Sequence, residues 1–462
     1  MIAPRPAGPD GRSSLWRLAH GFRRDLLSAL PERLFHAWMA EFRNPLIHSF
    51  LCNDPALVRL ILRENGTDFP KSSRLREGLA PLLGRSVFVT NGAEWARQRR
   101  IIDPAFDRGR LHDSFQAIWL ASDALLQRLH PGETDIEPQT SHAAADAIFR
   151  AMFSLPIEHD IAARVFDAFR AHQDAQPIVN PAAILPLPRW FPRLHSRRTR
   201  TTAAQIRDLI RQLVATRKQA IAQGRAPDDL ATRIMTTPDP QTGECFSTAE
   251  MIDQVAIFFL AGHETSASAL AWALWLLAAH PEWQERVATE GAGLQRDFGA
   301  IGGLRASRAV FREALRLYPP VPMMVREAAS PQHFRNRPVP RGAQLVVSAW
   351  HLQRHQRLWE RPDEFDPARW DSAAGKASAR AAYIPFSAGP RVCPGAGFAM
   401  LEGVVMLARV TARFRLLPGT TPPVPIARLT LRGRDGIRLH LSPENPASPE
   451  SAPSPARILS SS

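Results

Sequence analysis

At 462 residues, 45% of them hydrophobic and 22% charged, the chain is long for a single core. Its formal net charge of +14 comes from 58 basic residues, of which Lys71, Lys218 and Lys376 are lysines and the rest are arginines spread along the chain. This spread indicates a generally basic surface, and we expect no nucleic-acid partner, because nucleic-acid binding calls for a basic patch on one face.

The chain shows no sign of a division into separate domains. It contains no repeat and no internal Gly/Ser or Pro linker, so we expect one large, mostly helical domain over residues 15–441. Residues 1–14 are rich in Pro and Gly and residues 442–462 in Ser, Pro and Ala, and both are predicted to be disordered. The first thirty residues hold no long apolar run, so neither a signal peptide nor a transmembrane anchor is expected. Three cysteines without paired spacing indicate a reducing compartment, which predicts a cytoplasmic location.

One long helix is predicted in the middle of the chain. Residues 247–250 read Ser-Thr-Ala-Glu, the pattern of a capping box, and an apolar run then extends to His280, where Pro281 ends it. At 1.5 Å per residue this helix is ~50 Å long. A membrane span is the competing interpretation, but charge near the middle of a span is costly, which favours a helix that crosses the core of a large protein.

The apolar pattern of this helix is interrupted near its centre by Gly262, Glu264 and Thr265. A flexible residue beside an acid and a hydroxyl favours a local kink where water can enter. The alternative is a buried Thr265 whose hydroxyl bonds back to the helix carbonyl four residues earlier. His263 lies between these residues, and its position predicts no role.

Two further pairs have helical spacing. Glu313 and Arg316 share one face of a helix that ends before two prolines at 319 and 320, and by themselves they predict an ordinary surface ion pair. His351 and His355 are four residues apart, which would suit a metal if they lay on a helix. The valines before His351 favour a strand that enters a turn instead.

A glycine-flanked loop places a cysteine beside an arginine, just before a helical run. Residues 386–395 read Phe-Ser-Ala-Gly-Pro-Arg-Val-Cys-Pro-Gly. A metal-binding thiolate needs electropositive surroundings and close backbone packing, and Arg391, Gly389 and Gly395 suit both needs around Cys393. A buried free cysteine is the alternative. A zinc site is not expected, because the other cysteines are far away in the sequence.

The loop matches Phe-x-x-Gly-x-Arg-x-Cys-x-Gly at each fixed position, and residues 261–266 match Ala/Gly-Gly-x-Asp/Glu-Thr-Thr/Ser. On these motifs the chain resembles the cytochrome P450 superfamily of haem-thiolate monooxygenases, and its soluble bacterial members in particular. The resemblance extends from about Phe50 to Leu441 and implies a mainly α fold with small β-sheets in a single domain. It also implies haem b as cofactor and O₂ as co-substrate.

The resemblance assigns roles to individual residues. Cys393 would be the axial ligand of the haem iron, which favours cleavage of the O–O bond. Thr265 would donate a hydrogen bond to the reacting oxygen or its water, and Glu264 would relay protons. Glu-x-x-Arg and Pro-x-Arg-aromatic motifs imply a buried structural network of Glu313, Arg316 and Arg369. Matches to haem-binding positions, including arginines suited to the propionates, are Trp95, Arg99, Gly262, Arg326, Phe386, Arg391 and Gly395.

The resemblance also outlines a substrate pocket. Its lining would be chiefly apolar, which fits a lipid-like or aromatic small molecule: Leu79, Leu82, Val87, Phe88, Phe258, Ala261, Val321, Met323, Met324 and Ile437. The proline-punctuated segment from Pro177 to Pro192 would be an access lid or a membrane contact. One departure is Gln353-Arg354, where many relatives have His-Arg, which leaves a structural contact there open.

The predicted activity is monooxygenation of an apolar small molecule. No dinucleotide motif and no ferredoxin cysteine cluster occurs, so no bound flavin or NAD is expected and electrons would come from a separate acidic ferredoxin or flavoprotein reductase. One alternative is a partner-independent enzyme that uses peroxide or rearranges an oxygenated substrate. Another is a non-catalytic haem protein that binds a gas or ligand.

Overall fold

The computed structural model of the protein describes residues 2–8, 25, 27–43, 48–64, 66–175 and 195–443. The segment from Pro177 to Pro192, predicted to be a lid or a membrane contact, lies outside these residues. The described part is mainly helical with small sheets, which confirms the predicted fold class.

The helices follow the chain in this order: α1 Pro55–Arg59, α2 Ser73–Leu83, α3 Gly92–Ile102, α4 Leu111–Arg128, α5 Ile136–Phe153, α6 Asp160–Ala175, α7 Arg197–Ala222, α8 Leu230–Thr236, α9 Thr248–Ala279, α10 Pro281–Ala292, α11 Arg305–Leu317, α12 Ala349–Leu352, α13 Ala373–Ala382 and α14 Ala396–Arg413.

The strands are β1 Met39–Arg43, β2 His48–Cys52, β3 Gly132–Asp135, β4 Met323–Glu327, β5 Gln332–Phe334, β6 Arg337–Val339, β7 Gln344–Ser348, β8 Phe414–Pro418, β9 Pro425–Ala427, β10 Leu431–Gly433 and β11 Arg438–Pro443. They form sheets in the orders β1-β2-β7-β4 and β3-β11-β8 and the pairs β9-β10 and β5-β6. All pairings are antiparallel except β2 with β7.

Helix α9 is the predicted central helix, and its capping box is present. Ser247 accepts a hydrogen bond from the backbone of Glu250, whose carboxylate accepts one from Ser247 N at 2.8 Å. Residues 251–260 and 266–278 are buried, because α5, α7, α11 and α14 pack around the helix. Within the described residues, no helix is long and apolar enough to cross a membrane.

Residues near both ends of the described chain make backbone contacts with the rest of the protein. Ala3 N donates to Asp363 O at 2.8 Å, and Arg5 pairs with Glu32 at 2.5 Å. Residues 2–8 therefore contact the rest of the protein, and the disorder of residues 1–14 stays a prediction. At the other end, β11 continues to Pro443, two residues past the predicted boundary, because its last residues pair with β8.

The region of the two histidines also departs from the prediction. After β7 the chain forms the short helix α12 rather than a simple turn, because Ser348 caps it by accepting a hydrogen bond from His351 N. The His351 ring bonds the Ser348 hydroxyl at 2.8 Å, while the His355 ring stacks on Trp38 with centroids 4.5 Å apart. Both rings thus have structural contacts, and in the described part of the chain no group of three His, Cys, Asp or Glu side chains is placed to hold a metal.

Helix α11 ends at Leu317, before the two prolines, as predicted. Glu313 and Arg316 on this helix have no exposed side-chain surface, so they are not a surface ion pair. Arg316 makes two hydrogen bonds to Glu313, at 2.7 and 3.0 Å, and Arg369 adds a third at 2.8 Å. The arginines also donate to backbone carbonyls, including those of Gln353 and Glu360. The three side chains thus join α11 to the segment that precedes α13.

Candidate functional site

The cysteine loop is held by its backbone. Cys393 N donates to Phe386 O at 3.0 Å, directly before α14 begins. Gly389 has a φ of +70°, and a Cβ added there would lie 2.1 Å from Leu62 O, so the loop packs too closely for another residue. At Gly395 an added Cβ would meet the Cys393 sulfur at an ordinary 3.9 Å. Close packing thus requires a glycine at position 389. The described protein atoms do not require one at position 395.

The thiol of Cys393 is accessible, yet it sits among enough protein atoms to lose most of its hydration. Burial raises the pKa of this thiol, while the Gly395 N–H and the charge of Arg99 oppose that rise. With protein atoms alone the neutral thiol is therefore favoured. A thiolate at this position requires a bound metal, which is the chemistry that a haem iron would supply.

Two predicted arginines lie against the loop. Arg99, on α3, donates to Val392 O at 2.9 Å and pairs with Asp103 at 2.8 Å. Arg391 donates to Thr90 O at 3.0 Å, and its guanidinium lies 4.3 Å from the centroid of the Trp95 ring. The predicted residues of α3 and of the cysteine loop are therefore neighbours.

Arg391 belongs to a cluster of cations with Arg326 and Lys71, in which Arg326 is buried and the other two are partly buried. Arg326, on β4, is 3% exposed and forms a backbone bridge with Lys71, whose ammonium lies 3.7 Å from the centroid of the Phe88 ring. Burial lowers the pKa of Arg326 to about 10. Burial and the charges of Arg326 and Arg99 lower the pKa of Arg391 to about 9. Burial, Arg326 and Arg391 together push the pKa of Lys71 well below its ordinary value.

Within the described residues, Lys71, Arg326 and Arg391 have no carboxylate partner. Burying like charges together is costly unless an anion compensates them. Two carboxylates, such as haem propionates, are the kind of anion that fits, so the residues present suit this cofactor. The role of Lys71 was not predicted from the sequence. The one signal for this residue is that lysine is rare in this chain, and that does not reveal which residues lie beside it.

The middle of α9 has two distinct faces. Ala261 is exposed, although the ten residues before it are buried, so this side of the helix borders open space. Thr265 donates to Ala261 O at 2.6 Å, which is the back-bonded arrangement given above as the alternative. A Cβ on Gly262 would lie 2.9 Å from the Ile148 side chain, so this glycine allows α9 to pack closely on α5.

The side chain of Glu264 is bonded to an arginine outside α9. It is 4% exposed, and its Oε1 accepts a hydrogen bond from Arg432 of β10 at 2.7 Å. Burial raises the pKa of this carboxyl, and the Arg432 charge opposes the rise. Sequence analysis did not identify Arg432, because no local pattern links the β9–β10 hairpin to α9.

The predicted pocket residues divide into two groups. Phe88 and Val321 are exposed by 37% and 36%, unusual for large apolar side chains, which suits a lining role. Leu82 and Ile437 are 4% and 0% exposed and belong to the packed core.

Comparison with known proteins decides the family. The sequence model of the cytochrome P450 family matches residues 39–439. The chain belongs to the cytochrome P450 family. Cytochrome P450 enzymes are haem-thiolate monooxygenases that use O₂, so this protein is a cytochrome P450 monooxygenase.

Relatives of this P450 occur in bacteria, animals and plants. Cyclooctat-9-en-7-ol 5-monooxygenase of Streptomyces melanosporofaciens is 32% identical over 88% of both chains. Human cytochrome P450 4A11 is 30% identical over 84% of this chain and 78% of its own. The chloroplastic protein LUTEIN DEFICIENT 5 of Arabidopsis thaliana is 28% identical over 85% and 70%, respectively.

Proposed function

We propose that this P450 inserts one oxygen atom of O₂ into an apolar small molecule and receives electrons from a separate acidic ferredoxin or flavoprotein reductase. The observation that carries the proposal is the cation cluster of Lys71, Arg326 and Arg391, which has no carboxylate partner among the described residues and in which Arg391 lies only two residues from Cys393. The exposed Ala261 and Phe88 support an apolar pocket. The bacterial relative is named for the oxidation of cyclooctat-9-en-7-ol, which supports a small-molecule substrate. Three free cysteines support a reducing compartment and thus the cytoplasm.

The cation cluster and the cysteine loop would hold different parts of haem b. Cys393 supplies the sulfur ligand, and Arg99, Arg326, Arg391 and Lys71 hold the propionates. Trp95 stacks under Arg391 and fixes its direction. The bound haem supplies the redox centre at which oxygen is activated.

Thr265 and Glu264 are proposed to handle protons. The Thr265 hydroxyl must leave the Ala261 carbonyl in order to donate to the reacting oxygen, a rotation about one side-chain bond. Glu264 is buried, so its charge is costly unless Arg432 faces it, and a change in that pairing shifts the pKa of this carboxyl. Gly262 acts by close packing that sets the position of this turn.

A turnover assay tests the proposed function. The purified haem protein is given NADPH with a surrogate ferredoxin and reductase, or peroxide alone, and substrates are first selected by the spin-state shift that they cause. Oxygen-dependent product formed only with the redox chain supports the proposal. Product formed with peroxide alone favours the partner-independent alternative, and spectral binding without product favours a non-catalytic ligand-binding protein.

Thr265→Ala is expected to keep haem and substrate binding but to divert reducing equivalents into peroxide, since the hydroxyl that directs protonation is lost. General acid–base assistance is worth about 10²–10⁴-fold, so a large fall in the ratio of product to NADPH consumed is expected. Thr265→Ser keeps the hydroxyl and serves as the control. Added peroxide should restore part of the activity of Thr265→Ala. Equal coupling in all three proteins would exclude this role.

Lys71→Met is expected to have opposite effects on the haem-free and haem-bound protein. Without haem, it removes a partly buried amine whose charged form is disfavoured by burial and by Arg326 and Arg391, so the melting temperature should rise. With haem, it removes a propionate partner, so haem should dissociate about tenfold more readily. Lys376→Met, at an exposed lysine, is the control. Haem transfer to apomyoglobin measures the second effect, and a change of the same sign in both states would contradict the assignment.

A further inference from the structure

A polar cavity of about 160 Å³ lies beside Glu264. It is lined by the start of α5, the C-terminal part of α6, the middle of α9 and strand β10, and it opens to solvent. The polar side chains that line it include Glu137, Ser141, Arg170, Gln173, Glu264 and Arg432. This lining contrasts with the apolar residues predicted to surround the substrate.

Two buried polar atoms face this cavity with no hydrogen-bond partner among the described residues: Oε2 of Glu264 and Nε2 of Gln173. Their other atoms are both bonded to Arg432, which donates to Glu264 Oε1 at 2.7 Å and to Gln173 Oε1 at 3.0 Å. Buried polar atoms almost always have a partner, and a polar cavity of this size holds several waters. These two atoms therefore lack a hydrogen bond that water in the cavity would supply.

Glu137 lines this cavity and keeps part of its surface in contact with solvent. It is half-buried in the first turn of α5, and its Oε1 accepts a hydrogen bond from Gly433 N at 2.9 Å. Burial and the charge of Asp135 raise the pKa of Glu137 to about 7, against the effect of Arg432 and of the bond from Gly433. A carboxyl of this kind exchanges protons with water at neutral pH.

The β9–β10 hairpin fixes Arg432 from both sides. Gly433 is tied to Glu137, and Leu431 O accepts a hydrogen bond from the Ser268 hydroxyl of α9 at 2.5 Å. The guanidinium is therefore held against Glu264 by backbone contacts to α5 and α9. A change in this hairpin would change the partner of the carboxylate.

Charged side chains lie near Glu264 on the neighbouring elements α5, α6 and β10. Arg432 faces it from β10, Arg170 lines the same cavity from α6, and Glu137 does so from α5. On α9 itself, burial and the charges of Arg432 and Arg170 lower the pKa of His263 to about 3, so this ring is neutral. Arg432 is thus the cation that is bonded directly to Glu264.

We propose that this cavity is the proton entrance of the enzyme, with Glu137 as the acid that lines it and Arg432 as the residue that positions Glu264. This rests on the proposed function. A proton passes from solvent through Glu137 and the cavity water to the Glu264 carboxylate. Glu264 then releases that proton towards Thr265 and takes another from the cavity, while the electrons come from the redox partner.

The test compares Arg432→Ala, Arg432→Lys and Glu137→Gln with Arg438→Ala, an exposed arginine paired with Glu133. The first measurement needs no turnover. Infrared absorption of protonated carboxyls is followed against pH in the haem protein, and the Glu264 band is assigned by its loss in Glu264→Gln. Arg432→Ala should raise the pKa of Glu264, because it removes the cation that favours the carboxylate. Arg432→Lys should restore it in part.

The second measurement is turnover with the surrogate redox chain in H₂O and D₂O. Arg432→Ala and Glu137→Gln should lower the ratio of product to NADPH about tenfold and raise the solvent isotope effect, with peroxide-driven turnover unchanged. Variants that match Arg438→Ala in both measurements would overturn the proposal. If wild-type protein shows no oxygen-dependent turnover, the proposed function fails instead, and an unshifted Glu264 band in Arg432→Ala would then also exclude the positioning role.

Discussion

Cys393→Ser should abolish the red-shifted Soret band that marks thiolate ligation in the reduced carbon monoxide complex, and turnover with it. A serine hydroxyl stays protonated and ligates iron poorly, whereas a metal holds the cysteine as thiolate. The loop itself should keep its shape, because it is tied to Phe386 by a backbone bond from residue 393. Circular dichroism and the carbon monoxide difference spectrum are the measurements.

The other cysteines provide matched controls for this prediction. Cys245 is exposed, and Cys52 is buried, where desolvation and Asp54 raise the pKa of its thiol to about 12. Cys245→Ser should therefore leave the band unchanged, and Cys52→Ser should affect stability at most. A red-shifted band that persists in Cys393→Ser would show that Cys393 is not the ligand. Another sulfur atom would then have to ligate the haem iron.

Features carried by local sequence could be predicted well. The capping box and the long apolar run located α9 to within a few residues, and the two prolines located the end of α11. The glycine at 389 was predicted from packing and has both a positive φ and a close neighbour. The two helix boundaries depend on residues adjacent in the chain or one helical turn apart, whereas the close neighbour of Gly389 is the distant Leu62.

Features that depend on distant pairs could not be predicted. Arg432 and Glu264 are 168 residues apart in sequence, and nothing in either segment indicates the other. Lys71 joins Arg326 only because the chain after α1 runs beside β4. The hydroxyl of Thr265 illustrates a different limit, since its motif suggests a role while its rotamer depends on what it contacts.

Gln353 shows how the structure resolves a departure from the family pattern. Its amide nitrogen donates to the carbonyls of Leu315 and Arg316 at 2.9 and 3.0 Å, and its oxygen accepts a hydrogen bond from Ile384 N at 2.8 Å. One side chain thus joins the end of α11 to the segment that leads into the cysteine loop. An amide can donate and accept at once, which the sequence alone did not reveal.

The largest effect on folding is expected at Glu313. One of its oxygens accepts hydrogen bonds from Arg316, Arg369 and the backbone of Asp366, and its side chain has no exposed surface. Glu313→Gln removes the negative charge that pairs with both Arg316 and Arg369 and leaves these two buried guanidinium groups without that compensation. Breaking a buried pair in this way costs about 3–5 kcal/mol, a large part of the stability of a typical domain.

Arg369→Ala is the complementary variant, and Arg361→Ala is the control, because Arg361 pairs with Glu364 and Asp366 at the surface. Urea unfolding should show a loss of several kcal/mol for Glu313→Gln and Arg369→Ala and about 0–1 kcal/mol for Arg361→Ala. Haem content should fall in parallel with stability, since Gln353 and Arg369 connect this network to the chain before Cys393. A stable, fully haem-loaded but inactive Glu313→Gln protein would instead place Glu313 in catalysis, because a structural residue acts on activity only through folding and cofactor retention.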